Sequence, residues 1–343
     1  MTRVVAIILH AVPGAGAGPL ESAFAAVRAE NAARQARGFE HAGAMSRIVE
    51  TRAGGAPFGA RLRRLAALDA GAGLVVLGSG SIPLATSADR AQLVAAAAAG
   101  AGPVLTNNRY SGDVLAIPAG IDLAGLPDVM ADNGVPRWFA GRGVPVRDLR
   151  DRWRLQVDLD TPIDALVTGR DRRTDSTFDR TRAAIRRLRQ QAADPGSELL
   201  VAGRTSAEAL RWLETNTASR TRALVEERGM RTAPQGQRPA RSTLGLLLDR
   251  DGPEGLGWIL AELAEAAVLD TRVLLAHRLG VDEAAWPTTE DRFASDLLLH
   301  ERIDDPWLRA LTVAAVEAPI PVVFGGHTVV GPGLRRLLGT PGR

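Results

Sequence analysis

The sequence predicts an α/β fold organised as two units, and three observations support this prediction. Short apolar runs recur along the chain, and uninterrupted runs of this kind are typical of strands buried on both faces of a sheet. Segments with helical periodicity separate the runs, which indicates strands joined by helices. The length of 343 residues is sufficient for two domains, each with its own hydrophobic core.

The composition restricts the chemistry that the protein can perform. Hydrophobic residues make up 45% of the chain but aromatic residues only 4%, so aliphatic side chains must fill the cores. There is no cysteine, which excludes disulfides, thiolate nucleophiles and cysteine-ligated zinc. All 42 basic residues are arginines, so a Schiff-base lysine and the lysine of a P-loop are excluded as well.

Charge and hydropathy argue against nucleic acid and membrane partners. The 42 arginines are nearly balanced by 39 acidic residues, and no long basic block occurs. No segment reaches the roughly 20 consecutive apolar residues that a membrane span requires. We interpret the apolar run after Arg3 as a first strand rather than a signal peptide. The sequence therefore predicts a cytoplasmic protein with no nucleic acid and no membrane partner, and it leaves homo-oligomerisation open.

Strands and helices alternate through the first half of the chain. Thr86 or Ser87 is expected to cap one of the helices. Polar or glycine-rich loops follow three of the strands, and we expect these strands to be parallel neighbours whose carboxyl ends share one edge. The apolar runs predict strands at residues 4–9, 46–50, 74–77, 103–106 and 114–117, and the periodic segments predict helices at 21–37 and 58–70.

The three loops are the predicted nucleotide-binding segments. The first lies between a strand and a helix, where backbone N–H groups can face a phosphate, although it matches neither the P-loop nor the dinucleotide-binding fingerprint. The asparagines of the third can read the edge of a nucleobase or sugar, or they can simply occupy a hairpin turn. The candidate nucleotide-binding residues in the loops are Gly14, Gly16, Gly18, Gly78, Ser79, Ser81, Asn107 and Asn108.

The segment 153–166 carries a group of acidic residues. Its alternating apolar residues predict a short strand at 155–159, and Pro162 should end the extended segment. Asp158 and Asp160 would then stand at a strand end, where carboxylates can hold Mg²⁺. The alternative is that Asp160 or the following threonine caps a helix and the other acids face solvent.

Two motifs in the first half resemble those of GT-A-fold nucleotidyltransferases. The run DLDTPID at residues 158–164 resembles their late D-x-D-T-P-x-D segment, and the strand, loop, Pro-Leu pair and helix around residues 74–87 resemble their central segment. The similarity covers about residues 1–168 and points in particular to the molybdenum-cofactor guanylyltransferase and phospholactate guanylyltransferase group. It implies a GT-A-like (Rossmann-like) three-layer domain, with the glycine loop in the place of the family's nucleotide loop.

The resemblance also implies an activity and its residues. Such a domain transfers a nucleoside monophosphate from a nucleoside triphosphate to a phosphorylated or sugar-like acceptor, with Mg²⁺ and release of pyrophosphate. Asp158 and Asp160 match the catalytic, metal-binding acids. The family's other metal-binding aspartate falls at Gly80 or Ser81, which supply no carboxylate, so Asp113 is a candidate substitute. The alternative is a catalytically impaired nucleotide- or sugar-binding regulatory module.

A highly charged segment separates the two halves. Residues 169–196 predict an amphipathic, solvated linker helix, so we divide the chain into domains at 1–168 and 197–343. Thr205 and Glu208 predict a capping box at the first helix of the second domain. The strands expected there are 198–204, 222–229, 242–252, 270–278 and a last one within 319–333, and the helices are 205–217, 254–268 and 307–318.

Several predicted strands of the second half end in polar residues. Ligands of open parallel sheets bind at such carboxyl ends, and Arg204 follows one of these strands. Asp249, His277 and His327 are the candidate site residues, although a lone histidine is more often structural. They define a third possibility, in which catalysis belongs to the second α/β domain. No family resemblance identifies this half.

Overall fold

In a computed structural model of the protein, residues 2–52, 54–171, 175–227 and 240–339 are described. The chain divides into two compact units, the first comprising Met1–Ala17 and Ser22–Leu159 and the second Gly18–Glu21 and Asp160–Arg343. Each unit has its own sheet. No helix in the described ranges is long and apolar enough to cross a bilayer.

The first unit is built on a mixed six-stranded sheet. Its strands are β1 (Val4–Ala11), β2 (Met45–Thr51), β3 (Gly73–Gly78), β4 (Val104–Thr106), β5 (Val114–Ile117) and β6 (Val146–Asp148), and its helices are α1 (Pro19–His41), α2 (Phe58–Leu68), α3 (Ser87–Ala98) and α4 (Gly134–Gly141). The strand order is β2-β1-β3-β5-β4-β6. All pairs are parallel except those that β5 forms with β3 and β4. The five strands predicted for this half are confirmed, and Thr86 caps α3.

Helices cover both faces of this sheet. Alternate residues of β1 enter two different hydrophobic clusters. One cluster includes Phe39 of α1 and Leu93 of α3, and the other includes Leu62 of α2 and Phe139 of α4. A strand whose side chains are apolar on both sides reads as an uninterrupted hydrophobic run, which is why the sequence predicted these strands correctly.

The predicted strand at 155–159 is wrong. Trp153–Leu155 forms a 3-10 helix, and an isolated bridge between Ser81 and Asp158 is what links the following residues to β-structure. Leu155, Val157 and Leu159 are nevertheless buried. The apolar alternation therefore predicted which side chains point inward, but it could not predict whether the backbone finds a partner strand.

The second unit is built on a parallel four-stranded sheet. Its strands are β7 (Glu198–Gly203), β8 (Arg220–Val225), β9 (Ala266–Asp270) and β10 (Val322–Gly325). Its helices are α5 (Pro162–Val167), α6 (Asp179–Ala192), α7 (Ala207–Asn216), α8 (Thr243–Asp251), α9 (Leu256–Leu263), α10 (Thr271–Leu279), α11 (Thr289–Asp296), α12 (Pro306–Glu317), α13 (His327–Val330) and α14 (Leu334–Leu337). The strand order is β10-β9-β7-β8, and every pair is parallel.

Two predicted strands of the second half are helices. The segment predicted as a strand at 242–252 contains α8, whose buried Leu244 and Leu248 are four residues apart, while Leu246 between them is 51% exposed. The segment predicted as a strand at 270–278 lies almost entirely in α10. The N-cap of this helix is Asp270, whose side chain accepts a hydrogen bond from Arg272 N. The true strand, β9, lies in the predicted helix 254–268 and continues to Asp270. Short apolar runs are compatible with either structure, and here the capping residues decide.

The predicted capping box at the start of α7 is off by one residue. The N-cap is Ser206, whose side chain accepts a hydrogen bond from Ala209 N. The helix predicted at 307–318 is confirmed as α12, with Asp305 as its N-cap and Pro306 at its first turn. The end of the strand predicted at 222–229 lies partly outside the described residues.

The charged segment predicted as a linker lies inside the second unit. Within it, Ile185, Leu188 and Ala192 of α6 belong to the same hydrophobic cluster as Leu199 and Val201 of β7. The division between the compact units falls at residue 160 rather than across this helix. An Arg-rich outer face gave α6 the appearance of a solvated helix, although its narrow apolar stripe packs on the sheet.

We expect Leu188→Ala to lower the free energy of unfolding by about 2–5 kcal/mol, because truncation leaves a cavity beneath α6. Arg186→Ala on the exposed face should change it by no more than about 0.5 kcal/mol. Equilibrium urea unfolding of both variants measures the difference. Equally small effects would show that α6 is a solvated helix after all.

Candidate functional site

The three predicted loops of the first unit lie at one edge of its sheet. β1, β3 and β4 run in the same direction, so the segments that follow them share the carboxyl edge. This part of the expectation is confirmed. β4 is not a neighbour of β3, however, because antiparallel β5 lies between them.

Side chains of α1 hold the loop that follows β3. Asn31 Nδ2 donates a hydrogen bond to Ser79 O at 2.7 Å, and Gln35 Nε2 donates one to Ile82 O at 2.8 Å. Ile82 has a φ of +45° and is fully buried. A β-branched residue avoids this conformation for steric reasons, and such strain persists only where the surroundings enforce it. The bonds from α1 provide that enforcement.

His10 and Ser79 form a buried pair at the same edge. His10 Nδ1 lies 3.1 Å from Ser79 Oγ. Burial lowers the pKa of His10, the positive charge of Arg28 lowers it further, and Glu50 opposes the shift. The neutral imidazole is therefore favoured in the folded protein.

Gly80 lies at the tip of this loop against Asp158. A Cβ atom at position 80 would lie 2.7 Å from Leu159 O, 2.8 Å from Asp158 Oδ1 and 3.3 Å from Arg28 Nε. Contact with a backbone oxygen at that distance excludes any side chain without a backbone shift. The position where the resemblance places a metal-binding aspartate is thus surrounded by Asp158 and Arg28.

The loop between β4 and β5 is a hairpin connection, as the alternative prediction stated. Asn107 is buried, and its Nδ2 donates to Asp113 Oδ2 at 2.6 Å and to Leu155 O at 3.1 Å. Asn108 Oδ1 accepts a hydrogen bond from Tyr110 N. Asn107 therefore holds the loop together, and Asn108 and the half-exposed Tyr110 are the residues that a ligand can reach.

The glycine loop before α1 has two different parts. A Cβ atom at Gly14 or Gly16 would meet nothing within 4 Å, so packing does not require glycine there. Gly18 belongs to the second unit. In that unit Glu290 accepts hydrogen bonds from Leu20 N and Glu21 N, both at 3.0 Å. The first amides of α1 thus already bind a carboxylate, which a phosphate would have to displace.

The candidate Mg²⁺ ligand Asp113 already has hydrogen-bond partners, and an arginine lies beside the position of the family's other metal-binding aspartate. Among the described residues, no group of three or more His, Asp or Glu side chains could hold a metal ion. Asp113 Oδ2 already accepts hydrogen bonds from Asn107 and Ser111, and the guanidinium of Arg28 stands beside position 80. Mg²⁺ requires octahedral oxygen ligands. The Mg²⁺ site of Asp158, Asp160 and Asp113 stays a prediction that rests on the resemblance.

The second unit carries a group of buried charges at the carboxyl edge of its sheet. β7 connects to β8 on one side, whereas β9, on the other side of β7, connects onwards to β10. Connections that diverge from adjacent strands open a crevice, and ligands of α/β sheets bind there. The residues that follow β7, β9 and β10 line this edge.

Arg204 and Asp270 form a bidentate pair between the ends of β7 and β9. Arg204 Nε and Nη2 lie 2.5 and 3.1 Å from the two carboxylate oxygens. Burial alone would raise the pKa of Asp270, but the charge of Arg204 outweighs it and the pKa is lowered. Gly203 has a φ of +131°, and a Cβ atom there would lie 2.3 Å from Asp270 Cβ. Only glycine permits this close approach.

A second pair joins the start of α10 to the end of α11. Arg272 Nη1 and Nη2 donate to the carboxylate of Asp296 at 2.5 and 2.7 Å, and both side chains are buried. Burial would lower the pKa of Arg272, but Asp296 outweighs it and the pKa is raised. Breaking such a pair leaves an uncompensated buried charge, so these loops are firmly held.

Asp164 is the third fully buried acid at this edge. Its Oδ2 accepts hydrogen bonds from Asp160 N, Thr161 N and Thr161 Oγ1 at 2.8–3.0 Å, and its Oδ1 has no hydrogen-bond partner among the described residues. Burial, followed by the charge of Asp160, raises the pKa of Asp164 well above its usual range. The helix capped by the threonine after Asp160, which the alternative prediction stated, is confirmed, but its expectation that the other acids face solvent is wrong for the buried Asp164.

Asp160 and His327 face each other at the exposed side of this group. Asp160 Oδ2 lies 4.0 Å from His327 Nδ1, and the side chains are 56% and 34% exposed. Arg204 Nη2 approaches Gly326 beside them. The structure therefore brings together two candidates that the sequence assigned to different domains.

His277 and Asp249 form a separate pair. His277 Nε2 lies 3.0 Å from Asp249 Oδ2, and Nδ1 accepts a hydrogen bond from Ser242 N at 3.0 Å. Since Nδ1 is an acceptor, the neutral ring carries its proton on Nε2. His277 is seven residues from Asp270, about 10 Å along α10, and both of its nitrogens are satisfied.

Most of the charged residues at these two edges were not predicted from the sequence. Asp270 and Arg272 were placed in a predicted strand, which hid their position at a strand end. For Arg28 a signal existed, because Arg28, Asn31 and Gln35 have the spacing of one helix face. Nothing in that spacing reveals which loop the face contacts.

We expect the stability of Asp164→Asn, measured relative to that of wild type at the same pH, to increase as pH rises. A carboxyl whose pKa is raised on folding stabilises the protein fully below its unfolded-state pKa of about 3.9 and loses that contribution as pH rises towards the folded-state pKa. Asparagine keeps an acceptor for the three donors and cannot ionise. Thermal unfolding between pH 4 and 8 measures the difference, and a pH-independent difference would contradict the prediction.

Asp270→Asn is the matched control, because its carboxyl is equally buried but has a lowered pKa. Asp270 contributes stability above its unfolded-state pKa and loses it as pH falls through the folded-state value. The asparagine variant should therefore be destabilised at neutral pH, by about 3–5 kcal/mol, since Arg204 loses its partner.

No protein-family model matches the sequence, and no curated protein matches it. The resemblance to nucleotidyltransferases therefore rests on the motifs themselves and on the residues described above.

Proposed function

We propose that the first unit binds a nucleoside triphosphate at the carboxyl edge of β1, β3 and β4. We further propose that the protein is nucleotidyltransferase-like and transfers a nucleoside monophosphate to a phosphorylated or sugar-like acceptor. The observation that carries the proposal is the presence of the three candidate loops at one edge, with Asp158 bridged to the loop after β3. Open α/β sheets bind ligands at this edge, and the resemblance supplies the class of ligand.

The exposed residues of the loop after β4 suit a nucleotide. Tyr110 is 55% exposed, and the guanidinium groups of Arg137 and Arg150 lie 5.9 and 5.6 Å from the centre of its ring. An exposed aromatic ring offers a stacking surface to a base, and arginine is a good partner for phosphate. Nucleotidyl transfer, like other phosphoryl chemistry, depends mainly on positioning and charge neutralisation.

The second reading of the same site is a binding module without transferase activity. The hydrogen bonds that Asp113 already accepts and the arginine beside position 80 favour this reading, because the family chemistry uses Mg²⁺. The transferase requires nucleotide binding, whereas the module can bind a nucleotide or a sugar, and a module that binds nucleotide differs from the transferase only in releasing no pyrophosphate.

We expect saturating nucleoside triphosphate to raise the melting temperature of the protein. At about 100 times Kd, binding to the folded state alone adds about 2.7 kcal/mol to the free energy of unfolding. A thermal-shift screen of the four ribonucleoside triphosphates, with and without Mg²⁺, tests this. No shift with any of them would refute the proposed function.

A pyrophosphate assay on the same samples then separates the transferase from the binding module. In a working transferase, Asp158→Asn should reduce pyrophosphate release by orders of magnitude with a similar melting temperature. A wild-type protein that binds nucleotide but releases no pyrophosphate with any acceptor supports the module.

The second candidate function is catalysis in the second unit. The observation that favours it is the arrangement of Asp160, His327 and Arg204 at the crevice between β7 and β9. A histidine beside a carboxylate can exchange protons near neutral pH, and the ion pairs beneath hold the surrounding loops in place. This geometry suits acid–base chemistry on a small polar molecule.

We expect small phosphorylated or carboxylated ligands of this second site to lose their thermal shift in His327→Gln. The same shift should persist in Asp158→Asn, which leaves the second unit unchanged. A screen of such compounds against both variants makes the test. If the thermal shift caused by these ligands is lost in Asp158→Asn and kept in His327→Gln, the ligands bind to the first unit instead.

A further inference from the structure

Arg28 of α1 lies at the proposed nucleotide edge, beside Gly80. Its Nε atom is buried and has no hydrogen-bond partner among the residues that the structure describes. Within the described ranges, no carboxylate forms an ion pair with it, in contrast to the buried arginines of the second unit. A guanidinium has five N–H donors, so an unpaired one in a partly buried position leaves strong donors available for an anion.

The position of Arg28 is set by the residues that follow it on the same helix face. Asn31 and Gln35 lie one and two turns further along α1, and each donates to a carbonyl of the loop after β3. Arg28 continues this row towards Gly80 and Asp158. The helix that carries Arg28 is therefore held against the loop that is proposed to contact the nucleotide.

The same geometry disfavours a divalent metal at this place. Gly80 has no room for an added carboxylate, since its Cβ would meet Leu159 O at 2.7 Å. The positive charge of Arg28 reaches His10 as well, where it lowers the pKa of the imidazole. A Mg²⁺ ion beside Asp158 would meet this positive charge and would lack a second acid at position 80.

We propose that Arg28 replaces the metal ion as the partner of the nucleotide phosphates, so that the first unit binds nucleoside triphosphates in their metal-free form. This inference rests on the proposed nucleotide binding. Arginine forms paired, parallel hydrogen bonds with phosphate oxygens. Because the chain has no lysine, arginine and histidine are the cationic side chains that it can offer to a phosphate.

The test is isothermal titration calorimetry with the ribonucleoside triphosphate that gives the largest thermal shift. Wild type is titrated in EDTA and in excess Mg²⁺, beside Arg28→Gln and Arg37→Gln. Arg37 is the matched control, because it lies exposed on the same helix and its loss changes the net charge equally. We expect wild type to bind at least as tightly in EDTA as in Mg²⁺. Arg28→Gln should weaken binding in EDTA by tenfold or more, and Arg37→Gln by less than twofold.

Arg28→Lys keeps the charge but removes the paired geometry, and it should weaken binding by a few fold. Circular dichroism checks whether each variant is folded. If Arg28→Gln is not folded, the comparison of wild type with Arg28→Lys provides the test. Binding that requires Mg²⁺ and is insensitive to both substitutions overturns the inference while leaving the proposed function intact. No binding in either buffer overturns both.

Discussion

Burial of the central strands on both faces is the constraint on which both units depend. Because helices cover β1 and β3 in the first unit and β7 and β9 in the second, the middle of each strand must be apolar. Polar and charged side chains can collect only where the strands end. The parallel direction of these strands brings those ends to a common edge, so the fold itself determines where chemistry can occur in each unit.

This constraint also explains how much the sequence could predict. Every strand of the first sheet that is buried on both faces was identified from its apolar run, and so were β7 and β10. Residues 242–252 and 270–278 were assigned wrongly, because a short apolar run fits a strand or a helix equally well. There the local hydrogen bonds of Ser242 and Asp270 as N-caps decide the outcome.

The candidate sites were less predictable, since they depend on which loop meets which helix. Asp160 was identified from its motif and His327 from its place after a strand, yet their proximity results from the packing of α5 against the end of β10, where Ile163 meets Gly325. His277 was chosen for the same kind of reason as His327, and both of its ring nitrogens have hydrogen-bond partners, Ser242 N and Asp249. The type of a residue and its place at the end of a strand or helix make it a candidate site residue. Whether its polar atoms can contact a ligand or are already engaged within the protein depends on its tertiary hydrogen bonds.

The two edges differ in how their charges are compensated, and the difference bears on function. In the second unit Arg204 and Arg272 each have a bidentate carboxylate partner, so these cations hold loops in position and have few donors left for a ligand. Asp164 forms no ion pair among the described residues, and its burial raises its pKa and favours its neutral form. In the part of the first unit that the structure describes, the buried Nε atom of Arg28 has no hydrogen-bond partner. A guanidinium donor left unsatisfied in this way can bind a phosphate oxygen, which is why Arg28 supports the proposal that the first unit binds a nucleotide.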